Sequence, residues 1–149
     1  MYNPTKAIVV ATLSLGIFSG CSGGPPSNVS GDDGQLAPCP DSPNCVSTMA
    51  TDEEHGIEPL QFRGSVEETM ASIVQVVDSM VRTTIITKQV EYLHAEYRTR
   101  IGFVDDVEFL LDSATDTVHF RSASRLGYGD LGVNRARMEE FRTLYKNLP

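Results

Sequence analysis

The chain has 149 residues, with 12 Lys and Arg against 20 Asp and Glu, a net charge of −8, 40% hydrophobic residues and no tryptophan. That length accommodates a leader and one domain, not two domains. The acidic balance excludes general nucleic-acid binding, which needs a basic footprint, and the hydrophobic share fits a folded domain with a modest core.

The first predicted element is an export signal over residues 1–20. Met1 to Lys6 is polar with one lysine, the run from Ala7 to Phe18 is apolar or small, and Ser19-Gly20 precede Cys21. This is the charged, apolar and small-residue order of a secretory signal. As a helix the apolar run reaches about 18 Å, against roughly 30 Å of hydrocarbon, so a spanning helix is the poorer reading. Phe18-Ser19-Gly20-Cys21 resembles a bacterial lipobox, with Phe18 where that pattern prefers leucine. Cys21 is thus the expected lipidation site, and acylation would hold it at a membrane through about 0.8 kcal/mol per buried methylene. Ser22 in place of aspartate favours the outer membrane in a cell that has one. The expected address is the cell envelope, anchored on the extracytoplasmic side. Residues 21–38, rich in Gly, Pro, Ser and Asp, read as a flexible tether. Residues 39–149 read as a single globular domain.

Cys39-Pro40-Asp41-Ser42-Pro43-Asn44-Cys45 opens that domain. With Cys21 taken by lipid, an even pair remains in an oxidising compartment, and a disulfide is the default expectation. The spacing is not the Cys-x-x-Cys of thioredoxin-like redox sites. A zinc site with His55 would need further ligands, so no metal and no cofactor is expected.

Ser65 and Glu68 form a capping box, and Val66, Met70, Ile73, Val74, Val77, Met80 and Val81 follow at spacings of three and four, predicting a helix over residues 65–81. A second helix is predicted over residues 134–147, striped by Met138, Phe141, Tyr145 and Leu148. Between them the period falls to two. Strands are predicted over residues 83–87, 92–103, 106–111 and 117–124, with a hairpin turn at residues 112–116. Residues 57–62 are a further candidate strand. Leu93, Ala95, Tyr97, Ile101 and Phe103 share one face of their strand, as do Val107, Phe109 and Leu111, then Val118 and Phe120, of theirs. The expected fold is α+β: an antiparallel meander of about four strands with both helices on its apolar face.

The opposite sheet face collects His94, Glu96, Arg98, Arg100, Asp106, Glu108, His119 and Arg121. It is expected to be a solvated face laced with weak ion pairs. The sharper reading is an open platform for a polar or anionic ligand. Gly127-Tyr128-Gly129-Asp130-Leu131-Gly132 matches the dinucleotide-binding spacing, but no parallel strand with an acidic end follows, and that reading is rejected. The glycines are expected to supply positive φ angles in a tight loop. Arg121, Ser122, Ser124, Arg125, Gly127, Gly129, Asn134, Arg135 and His94 are the candidate ligand-binding residues. They combine guanidinium groups, hydroxyls and a helix start, which suit carboxylate, phosphate or sulfate. Against this, Asp130 or Asn134 can cap the helix while the arginines pair with Asp105, Asp106 or Glu108.

Four blocks carry a resemblance: Cys39-Pro-Asp-Ser-Pro-Asn-Cys45, Tyr92-Leu-His-Ala-Glu96, Gly102-Phe-Val-Asp-Asp-Val-Glu-Phe109, and the run from Arg121 to Arg135. Together they resemble the domain-of-unknown-function 1499 family, from about Cys39 to the end of the chain. The resemblance implies a bacterial or plastid domain, often a lipoprotein or set beside membrane segments, and it carries over no catalytic residue. The expected function is a non-enzymatic envelope domain that binds a small anionic ligand or a partner protein. The alternatives are a small-molecule hydrolase using His94, Asp106 and His119, and a structural envelope component.

Overall fold

The computed structural model describes residues 35–149. The predicted export signal, Cys21 and the tether up to residue 34 lie outside the described residues. In chain order the elements are β1 (Cys45–Ser47), β2 (Leu60–Gln61), α1 (Val66–Ser79), β3 (Thr83–Lys88), β4 (Tyr92–Arg98), β5 (Val104–Asp112), β6 (Thr117–Ser124) and α2 (Val133–Lys146).

The strands form one antiparallel sheet of order β1-β6-β5-β4-β3, with β2 also paired to β6. The α+β architecture is the expected one, with six strands rather than about four. Of the two additions, β2, two residues long, lies inside the candidate strand over residues 57–62, and β1, three residues long, is too short to show a period. A second correction concerns the run over residues 92–103. Its strand stops at Arg98, because Gly102 N–H donates to the Thr99 carbonyl and Gly102 takes φ +93°. Ile101 and Phe103 therefore sit in an exposed turn and not on the inner face.

Helix α1 starts where the capping box places it. The Ser65 hydroxyl accepts from the Glu68 N–H, and the Glu68 carboxylate accepts from the Ser65 N–H. It ends as Thr83 Oγ1 donates to the carbonyls of Val77 and Met80, filling acceptors that a helix terminus leaves open. Val81 falls beyond the helix and is exposed. Met70, Ile73, Val76 and Val77 from α1 and Met138, Phe141 and Tyr145 from α2 pack on Leu93, Ala95, Val107, Phe109, Leu111, Val118 and Phe120. Phe109 and Phe141 meet at 4.6 Å between ring centroids. Fully burying a side chain of this kind contributes roughly 1.5–3 kcal/mol. This core fixes the three long strands, and hence whatever projects from their other face.

Candidate functional site

The face of the sheet away from the helices carries Tyr92, His94 and Glu96 from β4, Asp106 and Glu108 from β5, and Arg121 from β6. The register sets His94 opposite Glu108, Glu96 opposite Asp106, and Glu108 opposite Arg121. Alternation alone assigns these residues to one side. It does not foretell their environment, because the expected solvated face is in fact buried: His94, Asp106, Glu108 and Arg121 are all inaccessible. Leu36, Cys45, Tyr92 and Ala123 are buried apolar residues that stand outside the helix-side core.

Two hydrogen-bonded chains occupy this face. In the first, Asp106 Oδ1 lies 2.7 Å from His94 Nε2 and 2.7 Å from Arg125 Nη2, while Asp106 Oδ2 accepts from Arg125 Nε at 2.8 Å. Arg125 Nη2 also donates to Glu96 Oε1 at 2.6 Å, and Arg98 donates to Glu96 Oε2 at 3.2 Å. Burial pulls the Asp106 carboxyl upward, but Arg125 and His94 outweigh it and hold the group below the usual carboxylate range. Hydrogen bonding to Asp106, reinforced by Glu96, holds the Arg125 guanidinium in its charged form against the pull of burial. An ionised carboxylate only accepts, which assigns the proton on this side of the ring to His94 Nε2.

In the second chain, Glu108 accepts from the Tyr92 hydroxyl at 2.9 Å and from Arg121 Nη1 at 3.1 Å. Burial first, and then the Glu108 charge, push Tyr92 far above its ordinary value, so it stays a protonated donor. Arg121 is 1% exposed, and its Nε and Nη2 have no hydrogen-bond partner among the described residues. An unmade bond to a buried charged donor costs more than the roughly 1–3 kcal/mol of a neutral one. The free atoms form one edge of the guanidinium fork. Arg125 presents that same Nε/Nη2 edge to both oxygens of Asp106, the bidentate geometry that suits carboxylate and phosphate. The carboxylates of Glu96, Asp106 and Glu108 are matched by the guanidiniums of Arg98, Arg121 and Arg125. What the face leaves open is therefore a pair of donors, not an uncompensated charge.

The remaining candidates lie elsewhere. Ser122, Ser124 and Asn134 are on the helix side, where Ser122 Oγ donates to Asn134 Oδ1 at 2.6 Å and Asn134 Nδ2 donates to Ser124 Oγ and the Asn44 carbonyl at 3.0 Å. Arg137 joins this knot and pairs with Asp105 at 2.5 Å. Arg135 spans to the carbonyls of Gly56 and Glu54. Gly127 takes the expected positive φ, +93°, beyond β6 and its carbonyl accepts from Asn44, while Gly129 in the same loop does not take one. The start of α2 is occupied by Asp130, whose carboxylate accepts from the N–H groups of Gly132 and Asn134. Arg121, Arg125 and His94 thus share one face, and the others serve the scaffold. Tyr92 was not among the candidates, although its spacing of two from His94 is the signal that places it there.

His94 and Asp106 are in contact, but His119 is distant. It faces Leu110, whereas Asp106 faces Ala123, four residues along β6 or roughly 13 Å. His119 Nδ1 lies 3.2 Å from Thr48 Oγ1. Cys39 and Cys45 form a disulfide, and His55 is held by Asp52 and the Ser42 carbonyl. Among the described residues no group of three or more His, Cys, Asp or Glu is arranged to hold a metal ion, and no helix is long and apolar enough to cross a membrane.

Fold and site together define a small α+β domain whose helix-free sheet face is a buried, charge-matched network. The chain belongs to the family described as Protein of unknown function (DUF1499), which matches residues 35–144. No curated protein and no solved structure matches it.

Proposed function

We propose that this domain is a non-enzymatic binding module of the cell envelope, which holds a small ligand bearing a carboxylate or phosphate on the free edge of Arg121. One observation carries the reading: among the described residues, Nε and Nη2 of a buried arginine lack partners, while every other guanidinium on that face is engaged. Tyr92 and Glu108 fix the far side of Arg121 and so orient its buried, unbonded edge. A hydrolase built on His94 and Asp106 is the weaker reading, since no hydroxyl or thiol among the described residues hydrogen-bonds His94 to serve as nucleophile.

The envelope address rests on the leader that ends at Cys21. The Cys39–Cys45 disulfide supports it, because such bonds persist outside the reducing cytoplasm.

The test of the ligand site is a thermal titration with phosphate, citrate and polyphosphate. An anion at about ten times its Kd stabilises a one-site protein by roughly 1.4 kcal/mol, which raises Tm by about 5 °C or more for a domain of this size. Arg121→Lys keeps a cation beside Glu108 but removes the fork, and it should abolish the rise. No rise in the wild-type protein at millimolar anion would exclude these ligands.

A further inference from the structure

The end of the sheet where β4 passes into β5 and β6 passes toward α2 is unusually apolar on its surface. Ile101 and Phe103 occupy the first of these connections, and Leu126, Tyr128 and Leu131 the second. Register puts them at one end, since Arg98 pairs with Val104 and Asp105 with Ser124, while the Arg125 N–H donates to the Val104 carbonyl. All are exposed: Ile101 at 81%, Tyr128 at 75% and Leu131 at 103%. Isolated exposed apolar residues need no explanation, but a group of five at one tip does.

Leu131 is the most telling of them. Its φ is +57°, in the left-handed region where a γ-branched residue is disfavoured against glycine or asparagine. It touches no core to repay that conformation. Neither backbone preference nor internal packing accounts for leucine here, which directs attention outside the domain.

Two further features say what lies outside. Exposed Arg82, Arg98 and Arg100 cluster at this end, with the Arg82 guanidinium on the Arg98 carbonyl. Asp41 and Asp78 also lie toward it, and Asp130 sits in the second connection with its carboxylate turned onto the Gly132 and Asn134 N–H groups, whereas Glu91 and Asp116 sit at the opposite end. Cys39 stands at this end as well: it is bonded to Cys45, Cys45 pairs with Ala123 near the end of β6, and Cys39 comes eighteen residues after Cys21. A lipid anchor at Cys21 would hold Cys39, and with it the end that carries the apolar side chains, within eighteen residues of the membrane surface.

We infer that this tip is a membrane-docking surface: Ile101, Phe103, Leu126, Tyr128 and Leu131 enter the lipid interface while Arg82, Arg98 and Arg100 meet anionic headgroups. The inference is independent of the Arg121 site and rests on the anchor reading for the nearness of a membrane.

The absence of tryptophan makes a direct test possible. The full chain carrying Tyr128→Trp, Leu131→Trp or, at the opposite turn, Ala114→Trp is mixed with vesicles of phosphatidylethanolamine and phosphatidylglycerol containing brominated acyl chains. Intact mass reports acylation of Cys21 separately. Blue-shifted emission and bromine quenching at positions 128 and 131, absent at 114, are expected. Adding Leu131→Asp to Tyr128→Trp should weaken the quenching, and vesicles lacking phosphatidylglycerol should weaken it too. Emission at 128 and 131 that matches the 114 variant, or a blue shift without quenching, as self-association would give, overturns the proposal whatever the mass shows.

Discussion

Asp106 carries the first chain of the buried face, and its environment makes that chain sensitive to acid. Its carboxyl is depressed because Arg125 and His94 outweigh burial. A group depressed on folding stabilises above its unfolded value of about 3.9, and that contribution disappears as pH falls through the folded value. The wild-type melting temperature should therefore fall steeply only below about pH 4. Asp106→Asn should be less stable at neutral pH and show a shallower acid limb, because it has no proton to take up. Parallel acid limbs in the two proteins would remove Asp106 from this role. Arg121 differs in kind. The sequence placed it on the correct face with Glu108 as one of three possible partners, yet whether its remaining donors meet water, protein or ligand depends on what covers the face, and alternation along a strand carries no such information.

The elements were legible in proportion to their length and punctuation. The Ser65–Glu68 box fixed the start of α1, and Ser65→Ala should lower stability by about 1 kcal/mol in chemical denaturation, with an effect below a few tenths arguing that tertiary packing sets this end. Strands β5 and β6 follow from Val107, Phe109, Leu111, Val118 and Phe120, which all reach the core. The run through Phe103 misled because its hydrophobic alternation continues across Thr99 to Gly102, where a turn is closed by backbone hydrogen bonds. Ile101 and Phe103 mimic core positions while facing outward. Strand β2 lies inside the candidate strand over residues 57–62, whereas β1 escaped notice because a partner far along the chain, and not local pattern, defines it.

At the scale of the molecule, the helices cover one sheet face and the second face is closed over charge. Leu36 is buried yet outside the helix-side core, so the family match beginning at residue 35 includes chain that the sequence reading assigned to the tether. The envelope address predicts that Cys21→Ser abolishes incorporation of a palmitate analogue and releases the protein from the membrane fraction. Full-length, unlabelled wild-type protein in the cytosol with reduced Cys39 and Cys45 would defeat that address.

The measurement closest to the central claim follows the Arg121 side chain itself. With the guanidinium nitrogens isotopically labelled and Arg121 Nε–H assigned by comparison with Arg121→Lys, phosphate or citrate should shift that resonance saturably and slow its exchange with solvent. The Arg125 resonance, already bonded to Asp106, should move far less. A stationary Arg121 signal, or equal drift of all arginine signals with ionic strength, would contradict a ligand site on this edge.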